Sequence, residues 1–249
     1  GFSATMDLSS LDGSNGFRLD GVAEGDFSGR SVSNAGDVNG DGFDDLIVGG
    51  KVSDSSGRSS YVVFGKASGF SATMDLSSLD GSNGFRFHAE LEAALARSGP
   101  SVSSAGDVNG DGFNDVIIGV SDARYNGYYS GSSYVVFGKA SGFSATMDLF
   151  SLDGKNGFRL DGVTVGDYLG YSVSTAGDVN GDGFDDLIVG AGNASHNGAR
   201  YIIFGRSDFG SDVDFPGTAG NDELTGTQAA ERFEAGAGND KMIGRGGAD

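Results

Sequence analysis

The sequence has no cysteine and no tryptophan, and only two histidines and two prolines among its 249 residues. Without cysteine the chain forms neither disulfides nor thiolate metal sites, so a secreted form needs another kind of cross-link. The histidines, His88 and His196, fall at non-equivalent repeat positions, which does not favour a designed pair. No Gly-x-Ser-x-Gly or His-Glu-x-x-His motif is present. Acid–base catalysis would therefore depend on carboxylates. We predict that this chain has no catalytic activity.

Positive charge is also scarce. Lys and Arg number 16 against 35 Asp and Glu, for a net charge of −19. So acidic a chain repels nucleic acid and anionic membranes, and no apolar run approaches the roughly 18 residues of a membrane-spanning helix. Glycine is abundant, at 46 residues without a period of three, which indicates many tight turns rather than collagen.

A nine-residue loop, Asp-Val-Asn-Gly-Asp-Gly-Phe-Asp-Asp, occupies residues 37–45 and returns with one substitution at 107–115 and unchanged at 178–186. It offers side-chain oxygens at its first, third, fifth and ninth positions, and the backbone carbonyl of the seventh can add another. Calcium takes six to eight oxygen ligands, and glycine permits the sharp turn. The loop predicts one Ca²⁺ per repeat, held by Asp37, Asn39, Asp41, Phe43 and Asp45; Asp107, Asn109, Asp111, Phe113 and Asp115; and Asp178, Asn180, Asp182, Phe184 and Asp186.

The alternative for this loop is a polar hairpin turn, since Asp, Asn and Gly are common turn residues. It differs from an EF-hand loop in lacking Glu at the twelfth position and in having β-type sequence on both sides. At its eighth position the second copy has Asn114 where the others have Asp44 and Asp185. We expect this position to face outward, so that the second site is weaker by less than about 1 kcal/mol.

The loops lie within a longer repeat. The segment Gly-Phe-Ser-Ala-Thr-Met-Asp-Leu at residue 1 returns at residues 69 and 142. The first repeat contains β-type runs at 16–19, 31–33, 45–49 and 60–65, and the last two are continuously apolar, which predicts burial on both faces. Four antiparallel strands per repeat predict an all-β fold of propeller-type blades, with a linear β array as the alternative.

These repeats resemble the FG-GAP repeat of integrin α subunits. The Phe-Gly element is present at 64–65, 137–138 and 204–205, and 48–50 and 189–192 are similar to its Gly-Ala-Pro region without the proline. The resemblance implies three blades, about 1–68, 69–141 and 142–210, with calcium in a loop at the rim. Because the family closes its ring with seven blades, three form an incomplete ring. We expect the remaining blades to come from sequence outside residues 1–249 or from other chains.

The second repeat diverges at 87–98, where Ala, Leu and Glu favour a short helix. Such an insertion is either a binding loop or a surface excursion.

After a predicted linker at 211–216, residues 217–249 show a nine-residue period that begins at 217, 226, 235 and 244. They resemble the calcium-binding nonapeptide of RTX (hemolysin-type) proteins, which implies a short parallel β-roll. The implied calcium ligands are Gly220, Asp222, Gly238, Asp240 and Asp249. The last repeat stops at residue 249, so we expect the sequence to continue beyond it. A disordered glycine-rich tail is the alternative.

Together these features predict a secreted, calcium-stabilised, non-catalytic adhesion or scaffold module. Extracellular calcium fills sites with dissociation constants of about 0.1–1 mM. The RTX resemblance implies type I secretion from a Gram-negative bacterium. The expected partner is an extracellular protein or glycan. One alternative is a self-assembling filament or surface layer, with copies in a homo-oligomer that completes the propeller. Another is the accessory region of a secreted hydrolase whose catalytic domain lies outside this chain.

Overall fold

The computed structural model describes residues 4–51, 58–89, 99–140, 142–194 and 197–209, and, in the C-terminal segment, 215–216, 221, 223–225, 233–234, 239 and 241–243. The chain divides into two compact units, Gly1–Phe209 and Gly210–Asp249. Among the described residues, no helix is both long and apolar enough to cross a membrane.

The first unit is built from short strands joined by tight turns. In chain order the strands are β1 (Arg18–Asp20), β2 (Ser31–Gly36), β3 (Asp45–Lys51), β4 (Arg58–Val63), β5 (Thr73–Asp75), β6 (Gly84–Ala89), β7 (Ser101–Gly106), β8 (Asp115–Val120), β9 (Ser132–Val136), β10 (Thr146–Asp148), β11 (Gly157–Asp161), β12 (Leu169–Gly177), β13 (Asp186–Ala191) and β14 (Ala199–Ile203).

These strands form three antiparallel blade-like sheets, which confirms the predicted all-β fold. Their strand orders are β2-β3-β4-β6, β7-β8-β9-β11 and β12-β13-β14, and β10 adds a parallel fifth strand to the first. The fourth strand of the first two sheets comes from the following sequence repeat, because β6 pairs with β4 and β11 pairs with β9. The first β-type run, observed as β1, instead pairs in parallel with β5. The sheets therefore do not follow the sequence repeats.

The three sheets stack in series through β2, β7 and β12, and their apolar cores lie between neighbouring sheets. One core packs side chains of the first sheet, such as Ile47 and Phe85, against Ile118 and Tyr134 of the second. The next core joins the second sheet to the third. Burying each such side chain contributes roughly 1.5–3 kcal/mol, so stacking stabilises each sheet.

The middle sheet is buried most completely. Every residue of β8 and β9 is buried, as predicted from their continuous apolar runs. In the first sheet β3 leaves Leu46 exposed and residues 59–63 of β4 are as buried as β9, whereas the third sheet leaves Ile188, Tyr201 and Ile202 exposed. The helix predicted within 87–98 does not begin at residue 87, because residues 87–89 belong to β6, and residues 90–98 lie outside the described part of the chain.

The second unit contains short parallel strand pairs. Strand β15 (Phe215–Pro216) pairs with β17 (Phe233–Glu234), and β16 (Glu223–Thr225) pairs with β18 (Lys241–Ile243). Both pairs are offset by 18 residues, which is two nine-residue repeats. This is the arrangement expected of a parallel β-roll. Phe215 and Pro216, at the end of the predicted linker, already belong to these strands.

Candidate functional site: the repeated acidic loops

Each acidic loop connects the first strand of a sheet to the second. In the first loop Asp37 organises the backbone, because its Oδ1 accepts hydrogen bonds from the N–H groups of Gly40 (2.7 Å) and Asp41 (3.0 Å) and its Oδ2 accepts one from Gly42 (2.8 Å). Gly40 and Gly42 have φ values of 74° and 87°, the left-handed conformation that glycine adopts without strain. The loops that begin at Asp107 and Asp178 repeat this arrangement.

The ninth carboxylate is buried and connects the loop to its own sheet. Asp45 is fully buried; its Oδ2 accepts the N–H of Val38 at 2.9 Å and its Oδ1 accepts the N–H of Gly65 at 2.8 Å. Asp115 and Asp186 are equally buried and accept the equivalent donors. The ninth position thus joins the acidic loop to the Phe-Gly element.

Burial dominates the ionisation of two of these carboxyls. It raises the pKa of Asp45 to about 6, against the lowering effect of its two N–H donors and with a further rise from the nearby Asp41 and Asp37 carboxylates. Burial likewise raises the pKa of Asp115 to about 8. Asp178, at the first position of the third loop, differs because its backbone N–H donors, Gly183 first, lower its pKa.

The glycine of the Phe-Gly element is required by close backbone approach. A Cβ at Gly65 would lie 2.4 Å from the Asp44 carbonyl oxygen and 2.9 Å from the Phe43 Cβ. The same contacts occur at Gly138 and Gly205. The Phe-Gly glycine therefore permits the loop to lie directly on the end of the third strand.

The fifth position is exposed in every loop and pairs with the third, which is half-buried in the first two loops and exposed in the last. In the first loop the Asn39 amide nitrogen donates to Asp41 Oδ2 at 3.0 Å, while the Asn39 Oδ1 accepts the Asp41 N–H and the Asp41 Oδ1 accepts the Phe43 N–H. Each carboxylate or amide oxygen can accept two hydrogen bonds, so the Asn39 Oδ1, the Asp37 Oδ2 and both oxygens of Asp41 and of Asp45 each keep a free lone pair.

The donor set fits a hard cation in chemistry, although its carboxylates do not converge on one point. Within the described residues, no three His, Cys, Asp or Glu side chains are grouped so that they could hold one metal ion. The oxygens with free lone pairs nevertheless belong to one short loop, and every charged side chain of that loop is negative. Oxygen-only donors with several carboxylates are the ligands that Ca²⁺ prefers.

The eighth position is exposed in the first loop, at Asp44, but contacts the preceding loop in the other two. Asn114 reaches the preceding loop, where its Oδ1 accepts the Asp37 N–H at 3.0 Å, and its own N–H donates to the Asp37 carbonyl at 3.0 Å. Asp185 makes the same contacts to Asp107. The prediction of an outward-facing residue was therefore wrong for the second and third loops, because Asn114 and Asp185 contact the preceding repeat. Asn and Asp both supply the required acceptor oxygen.

The seventh-position phenylalanines also cross between blades. A Cβ on Gly40 would lie 2.4 Å from the Phe113 ring, and one on Gly110 would lie 2.5 Å from the Phe184 ring. Each ring therefore covers the preceding loop. Gly220, Asp222, Gly238, Asp240 and Asp249, the ligands implied for the second unit, lie outside the described residues.

Two buried carboxylates were not singled out by the sequence analysis. Asp26 accepts the N–H groups of Val22, Ala23 and Ser28, and Asp167 accepts both the N–H and the hydroxyl of Thr164. The Gly-Asp-aromatic triplets at 25–27 and 166–168 could have indicated them. These carboxylates hold turns, and their donors account for their burial.

Comparison with known proteins supports the repeat assignment. The family model described as FG-GAP repeat matches residues 28–63, 98–136 and 169–203. Each match covers the first three strands of one sheet together with its acidic loop. The chain therefore carries three FG-GAP repeats of the kind expected from its Phe-Gly elements.

Relatives with such similarity include integrin alpha-4 of Xenopus laevis, 29% identical over 70% of this chain, and integrin alpha pat-2 of Caenorhabditis elegans, 32% identical over 69%. Phosphatidylinositol-glycan-specific phospholipase D of Dictyostelium discoideum is 29% identical over 66% of the chain. The chain spans 15%, 14% and 18% of these proteins, respectively. The similarity supports an integrin-like propeller architecture.

Proposed function

We propose that the three FG-GAP repeats form a calcium-stabilised, non-catalytic binding module in which each acidic loop holds one Ca²⁺. The observation that carries this proposal is the fully buried carboxylate at the ninth position of every loop. Burying an ionised carboxylate is costly unless a cation or several hydrogen bonds offset the lost hydration. Asp45 has two N–H donors and two carboxylate neighbours, so a divalent cation supplies the opposite charge that this arrangement favours.

Calcium binding requires a small rearrangement at the loop surface. Asp41 has to release the Asn39 amide so that the oxygens of both side chains can turn toward the ion. Asp37 stays hydrogen-bonded to the loop backbone and contributes its remaining lone pair. The Phe43 carbonyl completes the set. A Ca²⁺ held by these residues would offset the repulsion among their carboxylates, and folding would then be coupled to calcium.

The proposed partner is an extracellular protein or a glycan, bound by loops at the ends of the blades. Integrin-like FG-GAP repeats support a binding role. Weak loop sites, with dissociation constants of about 0.1–1 mM, are filled only where calcium is abundant, so the proposed module works outside the cell. For the second unit we propose RTX-type calcium binding and type I secretion from a Gram-negative bacterium, supported by the nine-residue period and by parallel pairing at twice that period.

A second candidate is the accessory region of a secreted hydrolase, favoured by the similarity to a phospholipase D. The candidate site itself favours binding over catalysis, because loop hydrogen bonds and the proposed calcium ligation together account for the clustered carboxylates of the acidic loops. A panel of phosphodiester and carboxylic ester substrates separates the two. Turnover that is lost on replacing a loop aspartate would support the enzyme and contradict the binding module.

The decisive experiment is a calcium titration of the full chain and of two variants of the third loop. Asp182→Asn removes a proposed ligand, and Asp185→Asn removes the same charge three residues away at a position where the second repeat naturally has Asn. We expect Asp182→Asn to weaken one site at least about tenfold, or 1.4 kcal/mol, and Asp185→Asn to leave calcium binding unchanged.

Calorimetry counts the ions, and circular dichroism in chelator and then in millimolar calcium reports folding. Equal effects of the two variants would mean that the loop responds only to total charge. A chain whose fold and melting temperature ignore calcium would show that the loops are turns, and the proposal would fail.

A further inference from the structure

We propose that copies of this chain join head to tail, with β1 of one copy completing the three-stranded sheet of another. The proposal rests on the blade architecture of the proposed function and is independent of its calcium sites. It follows from two ends of the first unit. One end has a sheet with no described fourth strand, and the other end has a strand, β1, with an open edge and the sequence of a fourth strand.

Among the described strands, the third sheet has no counterpart of the fourth strand that the other two possess. Strands β4 and β9 each pair with a fourth strand, β6 and β11, whereas β14 pairs with β13 alone among the described strands. The sequence of β14 and its Phe-Gly element at 199–205 corresponds to 132–138 in the second repeat. By this equivalence the backbone N–H and C=O groups of Ile202 point to the open edge, as those of Val62 point to β6.

Strand β1 has the sequence and the free edge that this position needs. Residues 16–20 are Gly-Phe-Arg-Leu-Asp, identical to 157–161, which form the fourth strand of the second sheet. One edge of β1 is already occupied, since the Arg18 N–H donates to the Ala72 carbonyl at 2.9 Å, as Arg86 donates to Ala145 in β6. The edge that β6 uses to pair with β4 has no partner strand in β1 within the described chain.

Each of the first two sheets has a cluster of three phenylalanine rings. In the first sheet Phe64 packs beside Phe85, which stacks on Phe143 at a centroid distance of 4.4 Å. In the second sheet the cluster is Phe137, Phe158 and Phe209.

The third cluster is divided between the two ends. Phe17 stacks on Phe70 at 4.5 Å near β1, and their missing third ring corresponds to Phe204 beside β14. Phe204 is 54% exposed, against 8% for Phe64 and 6% for Phe137.

The outer faces of the first and third sheets expose apolar residues whose equivalents between stacked sheets are buried. On the first sheet Val32 is 64% exposed, whereas its equivalent Val102, covered by the preceding blade, is 5% exposed. On the third sheet Ile202 is 45% exposed, whereas its equivalent Val135, covered by the following blade, is fully buried. The same contrast holds for Leu46 on the first sheet and for Val179 and Ile188 on the third, compared with Val116, Val108 and Ile117.

The first and third acidic loops also have exposed groups that would fit each other. The third loop lacks the cover that its predecessors receive, because a Cβ on Gly181 would meet nothing within 4 Å. At the other end Phe43 and Asp44 are exposed. They occupy the positions from which Phe113 and Asn114 cover and cap the loop before them. Phe43 and Asp44 of a second copy would therefore cover Gly181 and accept the Asp178 N–H.

The occupant is therefore another copy of this chain, because the chain itself carries every group that its open end lacks. Such a contact joins two different surfaces, so it closes into a ring if the blade rotation permits and otherwise extends as a filament. The existing pairs, Tyr61 with Arg86 and Tyr134 with Arg159, predict that Tyr201 lies opposite Arg18 of the second copy.

This register is tested by cysteine cross-linking in a chain that has no cysteine of its own. Tyr201 and Arg18 form a non-hydrogen-bonded pair by equivalence, with a Cα separation of about 4.5 Å, which a disulfide can bridge. Arg18→Cys and Tyr201→Cys proteins are mixed in millimolar calcium and oxidised. We expect at least about tenfold more disulfide-linked heterodimer than from Arg18→Cys mixed with Ile202→Cys, whose side chain projects from the opposite face.

Two controls make the result decisive. Ser59→Cys with His88→Cys in one chain joins an equivalent pair that is already formed, so it should close intramolecularly. If it closes while the mixture gives no heterodimer, or if both mixtures link equally, the proposal is overturned and the open edge is covered by another repeat or by a different protein. Repeating the mixture in chelator separates the two proposals. Cross-linking with no effect of calcium on folding would refute only the proposed calcium sites. Calcium-dependent folding without cross-linking would refute only the proposed assembly.

Discussion

Gly138→Ala tests whether the Phe-Gly element is a close backbone contact. The added Cβ would lie 2.4 Å from the Asn114 carbonyl oxygen, 2.7 Å from the Phe113 Cβ and 2.9 Å from the Val38 carbonyl oxygen. Real Cβ atoms essentially never approach other atoms below 3.0 Å, so the backbone must move. Two of the three contacts are with backbone atoms, which cannot rotate away.

Hydrogen bonds on both sides resist that movement. The Gly138 N–H donates to the buried Asp115 Oδ1 at 2.9 Å, and the Lys139 N–H donates to the Val38 carbonyl of the preceding blade at 2.9 Å. Losing these two bonds costs about 1 kcal/mol each, and overpacking adds roughly 1–3 kcal/mol. The reduced freedom of the unfolded chain returns about 0.4–1 kcal/mol. We therefore expect Gly138→Ala to lower the free energy of unfolding by about 3 kcal/mol.

Urea unfolding, followed by circular dichroism at a fixed calcium concentration, measures this change. Gly190→Ala is the matched control, because its Cβ would meet its nearest neighbour, the Ser172 carbonyl oxygen, at 3.5 Å without a positive φ. This control should change the free energy by less than about 1 kcal/mol. If the two variants are equally stable, the Phe-Gly glycine does not serve close approach, and the inferred contact between loop and strand is refuted.

Three further outcomes follow from the loops and the aromatic clusters. Because burial raises the pKa of Asp45 to about 6 and of Asp115 to about 8, the folded chain in chelator binds more protons than the unfolded chain between pH 3.8 and those values, and its stability should fall as pH rises through this window. Calcium should reverse the trend, which melting temperatures across that window with and without calcium would show; a flat profile in chelator would contradict it. Asn114→Ala should cost about 1 kcal/mol in urea unfolding by leaving the N–H of the preceding loop without its acceptor, whereas Asn114→Asp should be neutral, since the third repeat has Asp there; equal losses would argue against the cap. Phe143→Ala should cost about 3 kcal/mol, and more than Phe70→Ala, because only the first residue belongs to a complete cluster of three rings.

Local sequence patterns were sufficient to place most of the strands. Continuous apolar runs predicted β3 and β4 and their equivalents, because a strand that is buried on both faces is apolar at successive positions. The acidic loops fell between strands as predicted, since Asp, Asn and Gly at fixed spacing specify their own turns through side-chain hydrogen bonds. Three loops that differ at a single position made this inference stronger than any one copy would have.

Pairing between repeats could not be predicted in the same way. Residues 16–20 and 157–161 are identical, yet the first segment pairs in parallel with β5 and the second pairs antiparallel with β9. Strand register depends on which edge is available, and a repeated sequence offers the same edge many times. The eighth loop position was misjudged for a related reason. Within one repeat Asp44 is simply an exposed acid, and only the neighbouring blade gives Asn114 and Asp185 their acceptor role.

These separate roles within one loop imply that calcium bound as proposed would be coupled to blade stacking. The ninth residue, Asp115, connects the loop to the Phe-Gly element of its own blade, while the eighth, Asn114, caps the backbone of the blade before it. The first residue, Asp107, offers its carbonyl to the blade after it. An ion that rigidifies residues 107–115 therefore orders one blade and both of its junctions at once. Stacked repeats gain stability mainly from such nearest-neighbour contacts, so calcium should sharpen the cooperativity of unfolding as well as raise its midpoint.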